Sequence, residues 1–158
     1  MKLKAVAALF VLTIGMVFAL DDLPENLMPS KVSAASLKPW VEAAKYVVTI
    51  DDDGDLKCET PDNKFFITVD SKREIIKMFA LWNKPKQLDI RTMKILANDF
   101  SEDTIFAKVT VDSEGDAAVR YFMVYTGGLN RKNFMESLDW FLLIDKGWQK
   151  KVREKLDD

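Results

Sequence analysis

Two nearly repeated stretches decide the fold of this chain: VTIDDDGD at residues 48–55 and VTVDSEGD at residues 109–116. Each places acidic residues and a glycine after a β-branched run, as in either a calcium-binding loop or a turn between two strands. A calcium loop of the helix–loop–helix type has glycine at its sixth position and a bidentate glutamate at its twelfth. Thr60 and Tyr121 occupy the twelfth positions here. Both stretches are therefore predicted to be hairpin turns, in which glycine adopts a positive φ. A weak cation site is the alternative for the first turn, at Asp51, Asp52, Asp53 and Asp55.

The composition is that of one globular domain. The chain has 158 residues, of which 48% are hydrophobic and 30% charged, and its net charge is −2. With acidic and basic residues mixed along the chain, no nucleic-acid partner is predicted. Histidine is absent, and the single cysteine, Cys58, excludes an intramolecular disulfide and a thiolate metal cluster. The sequence therefore predicts no metal site and no cofactor, and Cys58 is predicted to point inward from a strand.

The N-terminus has the pattern of an export signal. A basic start, MKLK, precedes 16 uncharged, mostly apolar residues and then the polar stretch DDLPEN. Small residues near the end of the apolar run predict a signal peptide at residues 1–19, cleaved after Ala19. An uncleaved anchor is the alternative. The sequence thus predicts a periplasmic or secreted protein that meets the membrane only transiently through this segment, with residues 20–35 as a flexible lead-in and residues 36–158 as the domain.

The folded part alternates helical and strand patterns. Ser36 is the expected N-cap of a first helix, with Pro39 in its first turn, and β-branched runs then predict strands. A middle helix is predicted over residues 88–100, and Asn130 is the expected cap of a long last helix that ends near residue 156. The predicted order is α-β-β-β-α-β-β-α. Antiparallel hairpins with helices set apart from them indicate an α+β domain whose sheet is covered by helices.

No catalytic constellation is visible. The chain has neither a nucleophile elbow nor a phosphate-binding glycine loop, and the Gly127–Gly128 pair lacks the lysine and serine that would follow in one. Carboxylates are concentrated in the turns, where they are solvated and poorly placed for acid–base catalysis. The sequence therefore predicts a protein that is not an enzyme.

Three residues are candidates for contact with a partner: Trp82, Trp140 and Asp145. Asp145 falls within the apolar stripe of the last helix when residues are placed about 100° apart around its axis. Because burying a bare charge is costly, Asp145 must contact Gln149 one turn on, reach solvent, or face a ligand or interface. Trp140 lies about 100° from the stripe, which predicts an exposed tryptophan on a partner surface. Trp82 is one of several aromatic residues that either line a groove or fill the core.

Three segments together resemble the YbjN family of bacterial sensory transduction regulators. They are residues 37–58 (from LKPWVEAAKYV to DGDLKC), 65–82 (FFITVDSKREIIKMFALW) and 105–152, whose most specific part runs from FAKV through GGLN to the last helix. The resemblance implies the fold of type III secretion chaperones, which are small, usually dimeric proteins that bind extended protein segments without catalysis.

The predicted function is accordingly a non-enzymatic binding or regulatory module of the envelope, acting through protein contacts as a homodimer. Its protein partner is not identified by the sequence. The alternative is a periplasmic carrier or sensor of a small apolar ligand, held between the sheet and the last helix with Asp145 at its mouth.

Overall fold

The computed structural model describes residues 23–59 and 63–157, which form three α-helices and eight β-strands. The helices are α1 (Ala34–Ala43), α2 (Ile90–Asp103) and α3 (Arg131–Asp157), and a 3-10 turn occupies Pro29–Lys31. The strands are β1 (Asn26–Leu27), β2 (Val47–Ile50), β3 (Leu56–Glu59), β4 (Lys64–Asp70), β5 (Ile75–Trp82), β6 (Ala107–Val111), β7 (Ala117–Val124) and β8 (Leu129–Asn130). None of the helices in the described ranges is long and apolar enough to span a bilayer.

Six strands form one antiparallel sheet in the order β2-β3-β4-β5-β7-β6, and β1 pairs separately with β8. The predicted α+β class is confirmed, and β4 and β5 lie in the middle of the sheet. The structure has four strands between the first two helices rather than the predicted three. The additional strand is Leu56–Glu59, which pairs with β2 on one side and with β4 on the other.

The two acidic bends are hairpin turns, as predicted. They join β2 to β3 and β6 to β7, and Gly54 and Gly115 have φ angles of +84° and +95°. In the first bend, Oδ1 of Asp51 accepts two backbone N–H groups; in the second, Oδ1 of Asp112 accepts three. The leading aspartate of each bend thus fixes the turn by hydrogen bonding to the backbone. Nowhere in the described residues do three or more cysteine or carboxylate side chains form a group suited to a metal ion.

The core lies between one face of the sheet and the helices. Inward side chains of the central strands are fully buried, among them Phe65, Ile67, Ile76, Met78 and Val119. The predicted apolar stripe of α3 is confirmed, because Phe134, Leu138, Phe141 and Trp148 are all buried against this face. The cap of α3 is also confirmed, since the side chain of Asn130 accepts a hydrogen bond from the backbone N–H of Asn133.

The start of α1 differs from the prediction. Ser33, not Ser36, is the N-cap, and the two serines form a capping box in which each side chain accepts the other's backbone N–H. Either serine could cap a helix, but the two reciprocal hydrogen bonds of a capping box form only when Ser33 is the N-cap and Ser36 is the third helical residue. Pro39 consequently lies in the second turn of the helix rather than in the first.

Residues 23–35, the described part of the predicted lead-in, pack against the domain. β1 pairs with β8 in the register Asn26↔Asn130 and Leu27↔Leu129, and Val32 is buried in the core. This segment therefore contributes to the folded domain, ahead of the predicted boundary at residue 36. The predicted signal peptide and its cleavage position lie outside the described residues.

Candidate binding surfaces

Asp145 is a fully buried carboxylate that joins α3 to one end of the sheet. Its Oδ1 accepts a hydrogen bond from Nε1 of Trp82, at 2.7 Å. Its Oδ2 accepts from Nδ2 of Asn63, at 2.8 Å, and from Nε2 of Gln149, at 3.1 Å. The predicted contact with Gln149 is confirmed, whereas solvent access is wrong because these neighbours seal the carboxylate. The structure thus brings Trp82 and Asp145 together.

The environment of Asp145 works in two directions on its ionisation. Burial raises the pKa of this carboxyl above its ordinary value of 3.8, because the charged form loses its hydration. The hydrogen bonds from Trp82, Asn63 and Gln149 favour the charged form and oppose the rise. All three donors are neutral, so the carboxylate is satisfied by hydrogen bonds rather than by an ion pair with them. Such an arrangement holds α3 against the end of the sheet, since each donor would lose a hydrogen bond without the carboxylate.

A groove of about 250 Å³ opens beside this cluster. It lies where the end of β5 and the following loop meet α2 and the C-terminal half of α3. Apolar side chains form most of its walls, and polar groups come from Asn83, Gln149 and Arg153. Its apolar lining consists of Trp82, Pro85, Met93, Trp148, Val152 and Leu156.

Asp145 does not line this groove, which corrects the prediction of a carboxylate at the mouth of a binding site. Instead it lies behind the wall and accepts hydrogen bonds from two residues that do line it, Trp82 and Gln149. The carboxylate is therefore in a position to fix the shape of the groove without touching an occupant.

Trp140 is exposed on the opposite side of α3, as predicted, with 61% of its surface open to solvent. Leu143, one turn along the same helix, is equally exposed, so the two side chains form an apolar pair. Trp140 and Asp145 are five positions apart in the helix, which places them about 140° apart around its axis. The structure therefore does not bring Trp140 together with Trp82 and Asp145.

The outer face of the sheet carries an exposed apolar surface that was not predicted from the sequence. Leu81 on β5 is 59% exposed, and on β7 Phe122 and Val124 are 46% and 64% exposed. Three cations lie on the same outward face: Lys77 on β5, Lys108 on β6 and Arg120 on β7. A period-2 reading of residues 75–81 would have placed Ile75, Lys77, Phe79 and Leu81 on one face, but the inward side chains are also apolar, which hides the alternation.

Cys58 is confirmed as an inward residue of β3 and is fully buried. Burial raises the pKa of its thiol to about 12, because the thiolate would lose its hydration there. The thiol is therefore neutral at physiological pH and shielded from solvent, which is the opposite of what a nucleophilic cysteine requires.

The sequence matches the YbjN family over residues 33–146, under the description "Putative bacterial sensory transduction regulator". The chain belongs to the YbjN family. No curated protein matches it in sequence. Among solved structures, YbjN of E. coli, described as a "putative transcription regulator", superposes with a TM-score of 0.57 at 11% identity, covering 72% of this chain and 88% of that one.

Two further structures show that this YbjN-family fold recurs at low sequence identity. An uncharacterised protein from Methanothermobacter thermautotrophicus gives a TM-score of 0.59 at 12% identity, covering 78% of this chain and 99% of the other. A chain of the HopA1–SchA chaperone–effector complex gives a TM-score of 0.54 at 14% identity, covering 72% of this chain and 90% of the other. The resemblance to a secretion-chaperone fold is thereby confirmed. At these identities the comparison establishes the fold alone.

Proposed function

We propose that this YbjN-family chain is a non-enzymatic regulatory module of the bacterial envelope that binds other protein chains. The observation that carries the proposal is the outer face of the sheet, where Leu81, Phe122 and Val124 are exposed on neighbouring strands. No helix covers this face in the described part of the chain. Exposed apolar surface of this kind marks interaction sites, because leaving it in water is unfavourable.

The comparisons and the chemistry of the buried groups support this proposal. A chaperone–effector complex contains a chain of the same fold, and in that complex one protein binds another. Two of the ionisable groups whose pKa is raised by burial, Asp145 and Cys58, are sealed from solvent. Neither is placed to act on a substrate. The exposed apolar surfaces, in contrast, are accessible to a second protein.

Affinity capture from the envelope fraction tests the proposal. The wild-type protein is expected to enrich a defined set of proteins, and Phe122→Asp is expected to lose them because it places a charge in the apolar surface. Ile95→Asp, which places the same charge at an exposed apolar position of α2, is the matched control for the sheet face. Equal captured sets for the wild type and Phe122→Asp, or no enrichment over an unrelated bait, would contradict binding through this face.

The groove beside Trp82 favours a second candidate function, the carriage of a small apolar ligand. Its volume of about 250 Å³ is slightly below the roughly 300–1,000 Å³ of most ligand sites, but mostly apolar walls with a few polar groups are typical of such sites. Arg153 lies at this site with no carboxylate partner in the described residues, so an apolar ligand bearing an anionic group suits it best.

Native mass spectrometry of protein recovered from its own envelope fraction tests this candidate together with the export and homodimer proposals. The expected chain begins at Leu20, the residue after the predicted cleavage, and the expected assembly is a dimer. A ligand would appear as an added mass that is absent from Val152→Trp, which fills the groove, and present in the control Lys146→Trp. A wild-type mass equal to that of the protein alone would contradict the carrier function. A chain that still begins at Met1 would indicate an uncleaved anchor, and a strict monomer would remove the homodimer.

A further inference from the structure

The outer face of β5, β7 and β6 combines exposed apolar side chains with unneutralised positive charge. In this antiparallel register the outward side chains are Ile75, Lys77, Phe79 and Leu81 on β5, Ala118, Arg120, Phe122 and Val124 on β7, and Lys108 and Thr110 on β6. None of these ten residues is a carboxylate. Since the whole chain carries a net charge of −2, the positive charge here is a local feature.

The cations on this half of the face lack carboxylate partners within the described ranges. On the other half, Lys57 and Lys64 both approach Glu59, with Nζ–Oε1 distances of 2.8 and 3.9 Å. Among the residues that the structure describes, Lys77 and Lys108 form no comparable ion pair. Arg120 donates a hydrogen bond to the neutral hydroxyl of Thr110. The open half of the face is therefore positively charged.

Two of these cations face each other directly. Lys108 on β6 is the cross-strand partner of Arg120 on β7, and like charges in that relation destabilise a sheet. An anion bound between them would offset this repulsion. The pair thus lowers the stability of the free protein while favouring an anionic ligand.

The side chains around these cations indicate whether the anionic ligand is a peptide or a nucleic acid. Leu81 and Val124 are aliphatic and offer no flat surface for stacking a nucleobase, so Phe122, 46% exposed, is the single open ring among the three exposed apolar side chains. Phe66 and Phe79 are stacked on each other, with ring centroids 5.1 Å apart, and Lys64 and Lys77 place an ammonium over each ring. Aromatic rings that bind single-stranded nucleic acid instead offer open faces to the bases. These contacts favour a peptide over a nucleic acid.

We propose that this surface, the outer face of β5, β7 and β6, binds an extended acidic segment of a partner protein in which carboxylates alternate with large apolar side chains. The carboxylates would pair with Lys77, Lys108 and Arg120, and the apolar side chains would cover Leu81, Phe122 and Val124. The inference rests on the proposed protein-binding function, and it specifies the charge and composition of the bound segment.

Fluorescence anisotropy with synthetic peptides tests it directly. The probe is a labelled peptide of about ten residues, long enough to cross the sheet, in which aspartate alternates with leucine and phenylalanine. We expect it to bind the wild type, and a peptide with lysine in place of aspartate not to bind. Raising the salt concentration from about 0.05 to 0.5 M is expected to weaken binding at least tenfold, because screening shortens the reach of the charges. Equal binding of the two peptides would overturn the proposal.

Charge-reversal variants locate the site. Lys77→Glu combined with Arg120→Glu is expected to weaken binding of the acidic peptide at least tenfold. Lys94→Glu combined with Lys146→Glu makes the same change in net charge on exposed positions of α2 and α3, and is expected to leave binding unchanged. Equal losses in the two double variants would overturn the proposal, because the effect would then follow from net charge alone.

A single substitution separates recognition from folding. Lys108→Glu converts the repulsion with Arg120 into attraction, so we expect a higher melting temperature together with weaker peptide binding. A variant that simply misfolded would instead show a lower melting temperature together with weaker peptide binding. A lower melting temperature, or unchanged binding, would overturn the role assigned to this pair.

Three further results distinguish failure of this inference from failure of the proposed function. If envelope partners are captured by the wild type and lost in Phe122→Asp, but the acidic peptide does not bind, protein binding stands and the acidic segment is wrong. If single-stranded DNA binds this face more tightly than the peptide does, the partner class is wrong. If Lys77→Glu with Arg120→Glu dissociates a dimer, the face is occupied by a second copy of the chain and the proposal is overturned.

Discussion

Replacing Asp145 with alanine is expected to lower the free energy of unfolding by about 3–5 kcal/mol, because it removes the shared acceptor of three half-buried donors, each of which would lose a hydrogen bond to a charged group. Trp82, Asn63 and Gln149 would each lose a hydrogen bond, and the indole of Trp82 lies at the wall of the groove. The measurement is urea denaturation followed by tryptophan fluorescence and far-ultraviolet circular dichroism.

Two variants serve as controls for this result. Asp145→Asn keeps the size of the side chain and one acceptor oxygen, so it should cost clearly less than alanine. Asp139→Ala removes a carboxylate from an exposed position of the same helix, and the expected change is within about 0.5 kcal/mol. Wild-type stability in Asp145→Ala would show that the hydrogen bonds to the carboxylate contribute nothing net to the fold.

The pH dependence of the same pair of proteins gives an independent check. Since the folded pKa of Asp145 is raised above 3.8, the folded state binds its proton more tightly than the unfolded state does. This contribution to stability is fully present below pH 3.8 and is lost as the pH rises through the folded pKa. The stability of the wild type relative to Asp145→Asn is therefore expected to fall with rising pH across that window and to be constant above it. A difference that grows with pH would mean that the hydrogen bonds outweigh burial.

Replacing Gly128 with alanine is expected to lower the free energy of unfolding by about 2–3 kcal/mol. Gly128 has a φ of +123°, a conformation that residues with a Cβ rarely adopt. A Cβ placed there would also lie 2.9 Å from the carbonyl oxygen of Leu27, which is backbone and therefore hard to move. The substitution should separate β1 from β8 and loosen the N-terminal segment. Faster tryptic cleavage after Lys31, together with the denaturation midpoint, measures both effects.

Gly127 provides a matched control. Its φ is +86°, but a Cβ there would meet nothing within 4 Å, so Gly127→Ala carries the conformational cost without the collision. The expected loss is about 1 kcal/mol, with normal trypsin resistance at Lys31. Equal losses in the two variants would show that contact with Leu27 is unimportant and that backbone conformation alone limits both positions.

Some parts of the fold were predictable because their signals are local. The two bends need only an aspartate whose side chain reaches the backbone of the same turn and a glycine that accepts positive φ, as Gly54 and Gly115 do. The cap of α3 by Asn130 likewise involves residues three apart. The alternation of Lys57, Cys58 and Glu59 predicted a strand locally, but four residues between two turns were too few to add Leu56–Glu59 to the predicted order.

The candidate site was predicted only in part. Spacing along α3 showed that Asp145 lies on the buried stripe and that Trp140 does not, because both follow from helix geometry. It predicted the contact between Asp145 and Gln149 but not those with Trp82 and Asn63, and it placed the carboxylate at the mouth of a site rather than behind a wall. The outer-face cations Lys77 and Arg120 were missed because charge was considered over the whole chain, where it nearly cancels.

The sequence by itself determined the α+β class, the reversing bends, the buried stripe of the last helix and the family. The first three depend on backbone preferences and periodicities that act over a few residues, and the family depends on the sequence of three long segments. Only the tertiary structure decided that Trp82 and Asn63, 63 and 82 residues before Asp145, supply its donors, and that Asn26 bonds Asn130 across 104 residues. It also decided that the helices pack on one face of the sheet and leave the cationic face open. Such contacts depend on which distant elements become neighbours, and an apolar strand has the same sequence pattern whether or not a helix covers it.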